Sequence, residues 1–143
     1  MAGLERFIEA QQGTYEQALR ELRAGNKQSH WMWFIFPQLA GLGRSSTARF
    51  YGIEGLDEAR AYLADPVLGP RLGECTGAML GWAEKLTAAE VLGHVDALKF
   101  ASSMTLFEAA GGDASYGQAL DTFYSGERDG QTLAMLGGGA LHT

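Results

Sequence analysis

One cysteine, Cys75, stands in a chain of 143 residues. No disulfide can close within the chain, a disulfide-stapled scaffold is excluded, and a reducing, cytoplasmic setting is expected. Basic residues are also few, with 11 Lys plus Arg against 17 Asp plus Glu and a net charge of −6. Binding to a nucleic-acid backbone or an anionic membrane needs a positive footprint, so neither partner is expected. No apolar run approaches the roughly 18–20 residues that cross a bilayer. The opening Met1 to Arg6 has no basic region leading into an apolar stretch, so no export signal is expected. Three His and one Cys, none at ligand spacing, make a metal centre unexpected. Phosphate-loop, dinucleotide and zinc-protease motifs are missing too, and no cofactor is expected.

What the chain does have is glycine punctuation and helical spacing. Twenty Gly and only three Pro divide it into stretches in which apolar residues recur three and four apart. Leu4, Phe7, Ile8 and Gln11 mark a first helix. Thr14 to Gln17 has the spacing of a capping box ahead of a helix that turns Tyr15, Ala18, Leu19 and Leu22 to one side, closed by Gly25-Asn26. Trp31 to Phe36 is apolar all round, ends at Pro37 and reads as a short buried helix. Further helices are expected from Ser45 or Ser46 to Tyr51, over 57–64, from Pro70 onward with Leu72, Cys75, Met79 and Trp82 inward, after a Thr87–Glu90 cap, and over 96–110, 115–124 and 129–136. Gly73, Gly77 and Gly81 suggest a tight helix crossing. The expectation is an all-α single domain over 1–143, with seven to nine short helices, an ordered core of about 4–136 and a short Gly-rich C-terminal tail.

Two segments carry candidate chemistry. In Ser29 to Gln38, Trp31, Trp33, Phe34 and Phe36 crowd four aromatics between His30 and Gln38. Such a segment reads either as core, or as an aromatic wall with an imidazole and an amide at its ends, suited to a planar ligand such as a nucleobase. From Asp96 to Phe107, helical spacing puts Asp96, Lys99 and Ser103 on one stripe with Leu106, Phe107 and Ala110, where an ordinary amphipathic helix keeps such residues apart. Either Asp96 caps the helix and Lys99 snorkels to water, or the three line a polar pocket. Gly41 to Ser46 offers loop amides and Arg44 to a phosphate beside Ser45, or is simply a loop with a cap. Cys75 reads as an inert core residue, and Asp57-Glu58 and Glu127-Asp129 read as solvated charges.

The same two segments, with Gly41-Leu42-Gly43 and the stretch from Glu58 to Leu72, resemble the domain-of-unknown-function family 1810 over about 4–136. That resemblance implies a small all-α domain of bacteria and fungi with no established activity. A Lys-containing helix after an aromatic segment, then Ala119-Leu120-x-x-Phe123 and Leu133-x-x-Leu136-Gly137, is similar to the NADAR family of all-α N-glycosidases, and implies a reaction class rather than residues. Two functions follow. One is a binding domain for a small nucleotide-like molecule, extended to N-glycosidic hydrolysis: Trp31 and Trp33 stack the base with Gln38 and Ser102 as further ligand-binding candidates, Arg44 and Ser45 hold phosphate, His30 or Asp96 activates water, Lys99 stabilises the leaving group, and Ser103 is a further catalytic candidate. The other is a non-enzymatic interaction or structural module. Nothing in the residues fixes the oligomeric state.

Overall fold

The computed structural model describes residues 3–137. Among them the chain is helical, and its nearest approach to a strand is one parallel bridge between Leu39 and Ile53. The helices are α1 (Glu5–Gln11), α2 (Tyr15–Arg23), α3 (Met32–Ile35), α4 (Ser46–Phe50), α5 (Leu56–Ala64), α6 (Leu68–Leu80), α7 (Ala88–Leu92), α8 (His94–Ala109), α9 (Ala114–Phe123) and α10 (Gly130–Gly137), with a 3-10 turn at Ala40–Leu42. The all-α expectation stands. The count is ten among the described residues, above the seven to nine expected, because α3, α4 and α7 are separate pieces of four or five residues. The Gly-rich tail expected at the C-terminus falls on 138–143, outside the described residues.

α8 is the axis of the fold. It packs against α5, α7, α9 and α10, while α6 lies on α2, α5 and α9. From Ser102 to Phe107 every residue of α8 is buried, which requires neighbours on all sides of the helix. Two aromatic chains run through the core. Phe7 meets Tyr62 edge-on at 5.2 Å and Tyr62 meets Phe107 at 5.2 Å. Phe36 meets Phe100 edge-on at 4.8 Å, which fastens α3 to α8. All three pairs lie within the 4.5–7 Å range favoured by ring quadrupoles.

Local signals held where the backbone could obey them. Tyr15, Ala18, Leu19 and Leu22 are all buried, and Thr87 with Glu90 forms a complete capping box. Gly25 takes φ +71, and Asn26 N donates to Glu21 O at 3.0 Å, closing α2 as expected. The box at Thr14 does not form: Thr14 sits at φ −113, ψ −29, already helical, and makes no side-chain cap bond. A capping residue needs extended backbone, and the Gln17 amide instead donates to Glu21 and Ser29. Nor do Gly73 and Gly77 mark a tight crossing, since a Cβ on either would meet nothing within 4 Å. Close approaches occur instead at Gly52, where a Cβ would overlap Ala40 Cα, and at Gly69, where it would overlap the Leu63 carbonyl of α5. On α5, Ala59 and Tyr62 are buried, Leu56 and Leu63 are partly buried against the core, and Arg60 is exposed.

Candidate functional site

Gly93 at φ +93 turns the chain into α8, so the helix starts at His94 and Asp96 lies in its first turn. Asp96 is therefore not the helix cap. Its carboxylate holds two ammonium groups instead, Lys27 Nζ at 2.9 Å and Lys99 Nζ at 3.7 Å. The side chains are 8% exposed for Lys27, 19% for Asp96 and 27% for Lys99. Lys27 Nζ also donates to Ser29 O at 2.6 Å and lies 4.8 Å from the centre of the Trp31 ring. Lys99 Nζ stands 5.4 Å from the centre of the Trp33 ring, within reach of a cation–π attraction. The aromatic segment and the polar stripe of α8 thus meet in space.

Glu21 on α2 fixes the turn that delivers Lys27 and Trp31. Its carboxylate accepts from Gln28 N, Ser29 N, Ser29 Oγ and Trp31 Nε1 at 2.7–3.0 Å. Burial by itself would raise the Glu21 pKa. The bonds from Ser29, Gln28 and Trp31 outweigh it and hold the group at about 2.

Met32, Trp33, Phe36, Gln38, Tyr51 and Lys99 enclose a recess of about 10 Å³, room for roughly one water. Trp33, Gln38, Tyr51 and Lys99 are only part-buried, so the recess reaches the surface. Of the ten residues singled out in the sequence, Trp33, Gln38 and Lys99 line this recess, and Asp96 stands behind it through its pair with Lys99. Trp31 is 0% exposed, and its indole nitrogen is committed to Glu21, so it belongs to the core and offers no face to a base arriving from solvent. His30 is exposed and makes no hydrogen bond among the described residues. Ser102 Oγ donates to Leu98 O, and Ser103 Oγ is buried with no hydrogen-bond partner among the described residues. Ser45 caps α4 by accepting from Ala48 N at 3.0 Å. Arg44 is exposed on a separate groove.

The sequence reading missed Lys27, Glu21 and Tyr51. The one available signal was the short link after Gly25, which obliges residues 26–31 to fold back over α2. Two more expectations are corrected. Glu58 is no solvated charge, because it pairs with buried Arg6 at 3.3 Å. Asp129 accepts from Thr132 N and Thr132 Oγ1 at the start of α10. Cys75 is buried as expected, which pushes its thiol up to about 12. No group of three metal-ligating side chains occurs among the described residues, nor any helix long and apolar enough to cross a membrane.

Fold and site define a compact all-α domain that brings an ammonium group, an aromatic ring and an amide together at the end of its central helix. The chain belongs to the family described as "Protein of unknown function (DUF1810)", whose profile matches residues 1–136. It is similar to the crystal structure of the conserved hypothetical protein Rv1873 from Mycobacterium tuberculosis. That likeness has 47% identity and a TM-score of 0.89, and spans 93% of this chain and 95% of that one. No curated protein matches. These findings support the first resemblance read from the sequence, and none of them carries the N-glycosidase resemblance.

Proposed function

We propose that this chain is a binding domain for a small anionic, nucleotide-like molecule, recognised at the mouth of the recess by Lys99, Trp33 and Gln38. The observation that supports this is the charge count at Asp96. One carboxylate faces two ammonium groups; Lys27 takes it at 2.9 Å, and Lys99, at 3.7 Å, is left as the looser and more exposed cation. An excess cation beside a ring face and an amide suits an oxyanion attached to a flat group. The recess admits a single oxygen of a phosphate or carboxylate, and the rest of the ligand lies outside.

Hydrolysis of an N-glycosidic bond asks more of these residues. Cleavage builds positive charge on the sugar, and a cluster of two ammonium groups and one carboxylate disfavours that charge. Asp96 as base would first have to release Lys27. Binding is therefore favoured over turnover, with Lys99 as the group that would steady an anionic leaving group if cleavage occurs. The test is a thermal-shift screen with nucleotides, NAD, ADP-ribose and flavin precursors. A ligand at 100 times its Kd adds roughly 2.7 kcal/mol, a shift of several degrees at this size. At least one hit whose shift is lost in Lys99→Met is the expected result; a screen in which no hit responds to that change overturns the site.

A second reading, an interaction module, is favoured by Val95 and Leu98, which are 63% and 61% exposed on the outer side of α8. Self-association in a sedimentation series that disappears in Leu98→Asp is what this reading expects.

A further inference from the structure

Ala48 of α4 lines the recess, but its neighbour Arg49 lines a different cavity, an open groove of about 520 Å³ between the 41–44 loop and α10. We propose that this groove is a binding site for a small phosphate ester, with Arg44 and Arg49 holding the phosphate. The inference stands apart from the recess and does not need it.

Charge distribution carries the argument. Most basic side chains of this acidic protein are engaged by carboxylates or by other polar groups. Four make no ion pair, hydrogen bond or ring contact among the described residues: Arg20, Arg44, Arg49 and Lys85. Two of these four converge on this groove, and no carboxylate among the described residues lines it. The grooves that hold Arg20 and Lys85 contain Glu16 and Glu74, and Glu84 and Glu90, which neutralise them locally. Against a net charge of −6, two convergent guanidinium groups without a counter-charge among the described residues form a local positive site. Guanidinium forks match phosphate oxygens in shape as well as charge.

The opposite wall defines the rest of the ligand. Gln131 brings an amide, and Leu42, Ala134 and Met135 are apolar; Met135 is about half exposed, and its thioether adapts to flat or irregular groups. A cationic side facing an apolar side suits a molecule with a phosphate at one end and a planar or aliphatic body at the other. The volume falls in the roughly 300–1,000 Å³ range of small-molecule sites. The net charge of −6 disfavours a long polyanion, so one phosphate ester suits the groove better than a nucleic-acid strand.

Calorimetric titration of the full chain at low salt tests this, with AMP as the ester and inorganic phosphate as the bare anion. AMP is expected to bind at least tenfold more tightly than phosphate. Arg44→Gln and Arg49→Gln are each expected to weaken AMP about tenfold, the loss of one charge-assisted contact. Neither should move Tm in the absence of ligand, because both side chains are exposed and make no ion pair or hydrogen bond among the described residues. Ala134→Trp, which fills the apolar side, is expected to weaken AMP by about tenfold and phosphate by less than twofold. AMP affinity within twofold of the parent in Lys99→Met separates this groove from the recess. Unchanged AMP binding in the double variant R44Q/R49Q overturns the site, as does AMP loss in Lys99→Met alone. Equal affinity for AMP and phosphate overturns the ester, and absence of AMP binding at millimolar concentration overturns both.

Discussion

Two charge clusters sit inside this fold, and they are built differently. At one, Arg6 donates to Phe50 O and Gly52 O at 2.7 Å, to Gly3 O at 2.6 Å and to Glu58 at 3.3 Å. One cation meets one carboxylate, Arg6 is 4% exposed, and carbonyls take its other donors. At the other, Asp96 serves Lys27 and Lys99 together. The first cluster is closed: it ties α1 to α5 and to the chain leaving α4. The second carries a charge more than it neutralises, and that charge reaches the surface beside Trp33. A buried ion pair with its geometry complete contributes to the architecture, while a cluster with a surplus retains something to offer a ligand.

The comparison breaks first at Arg6. Arg6→Met strands Glu58 and leaves the Gly52 carbonyl without this donor, and should cost about 3–5 kcal/mol in urea unfolding; a cost near zero would mean the closed cluster is no strut. Next is Lys27→Met, which removes the 2.9 Å partner of Asp96. Lys99 remains to compensate in part, so about 2 kcal/mol is expected, on the scale of one hydrogen bond to a charged group.

Acid sharpens the contrast further. Glu21 is held at about 2 against an ordinary 4.5, so the unfolded chain binds its proton more readily than the folded one. Its contribution is complete above about pH 5 and lost as pH falls towards 2. Because Glu21 is only part-buried, solvent screening discounts the shift to about 1–2 kcal/mol. Glu21→Gln should flatten this limb of a stability–pH profile, and an unchanged limb would remove Glu21 from the turn's support. Smallest is Lys99→Met. Asp96 keeps Lys27, so the change should stay below about 1 kcal/mol while the response to a ligand of the recess disappears. Equal costs for Lys27→Met and Lys99→Met would erase the distinction between holding and offering.

Helical content was legible because it is written locally. The face of α2, the Thr87–Glu90 box and the burial of α3 each depend on residues within one or two turns. The site was legible only by halves. The stripe on α8 announced Asp96 and Lys99, and Trp33 and Gln38 stood out in their segment, yet their meeting depends on α3 docking through Phe36 onto Phe100, some 64 residues away in the chain. Lys27 was invisible because a lysine in a link has no periodicity to betray its burial. Trp31 and Trp33 looked alike in sequence, and only the position of Glu21 sends one indole inward. The Thr14 box failed because backbone conformation, not residue type, decides whether a hydroxyl can cap.

The Leu39–Ile53 bridge has a consequence for how the two cavities communicate. Ala40 N donates to Ile53 O and Ile53 N to Gln38 O, each at 2.9 Å, so α4 is an excursion pinned at its base. With Ala48 on one side and Arg49 on the other, this short helix is a common partition, and any tilt that widens one chamber narrows or reshapes the next. A ligand that tilted α4 on entering either chamber would change the affinity of the other, and linkage would make the effect equal in both directions. Two ligands would in that case report on each other through five residues of chain.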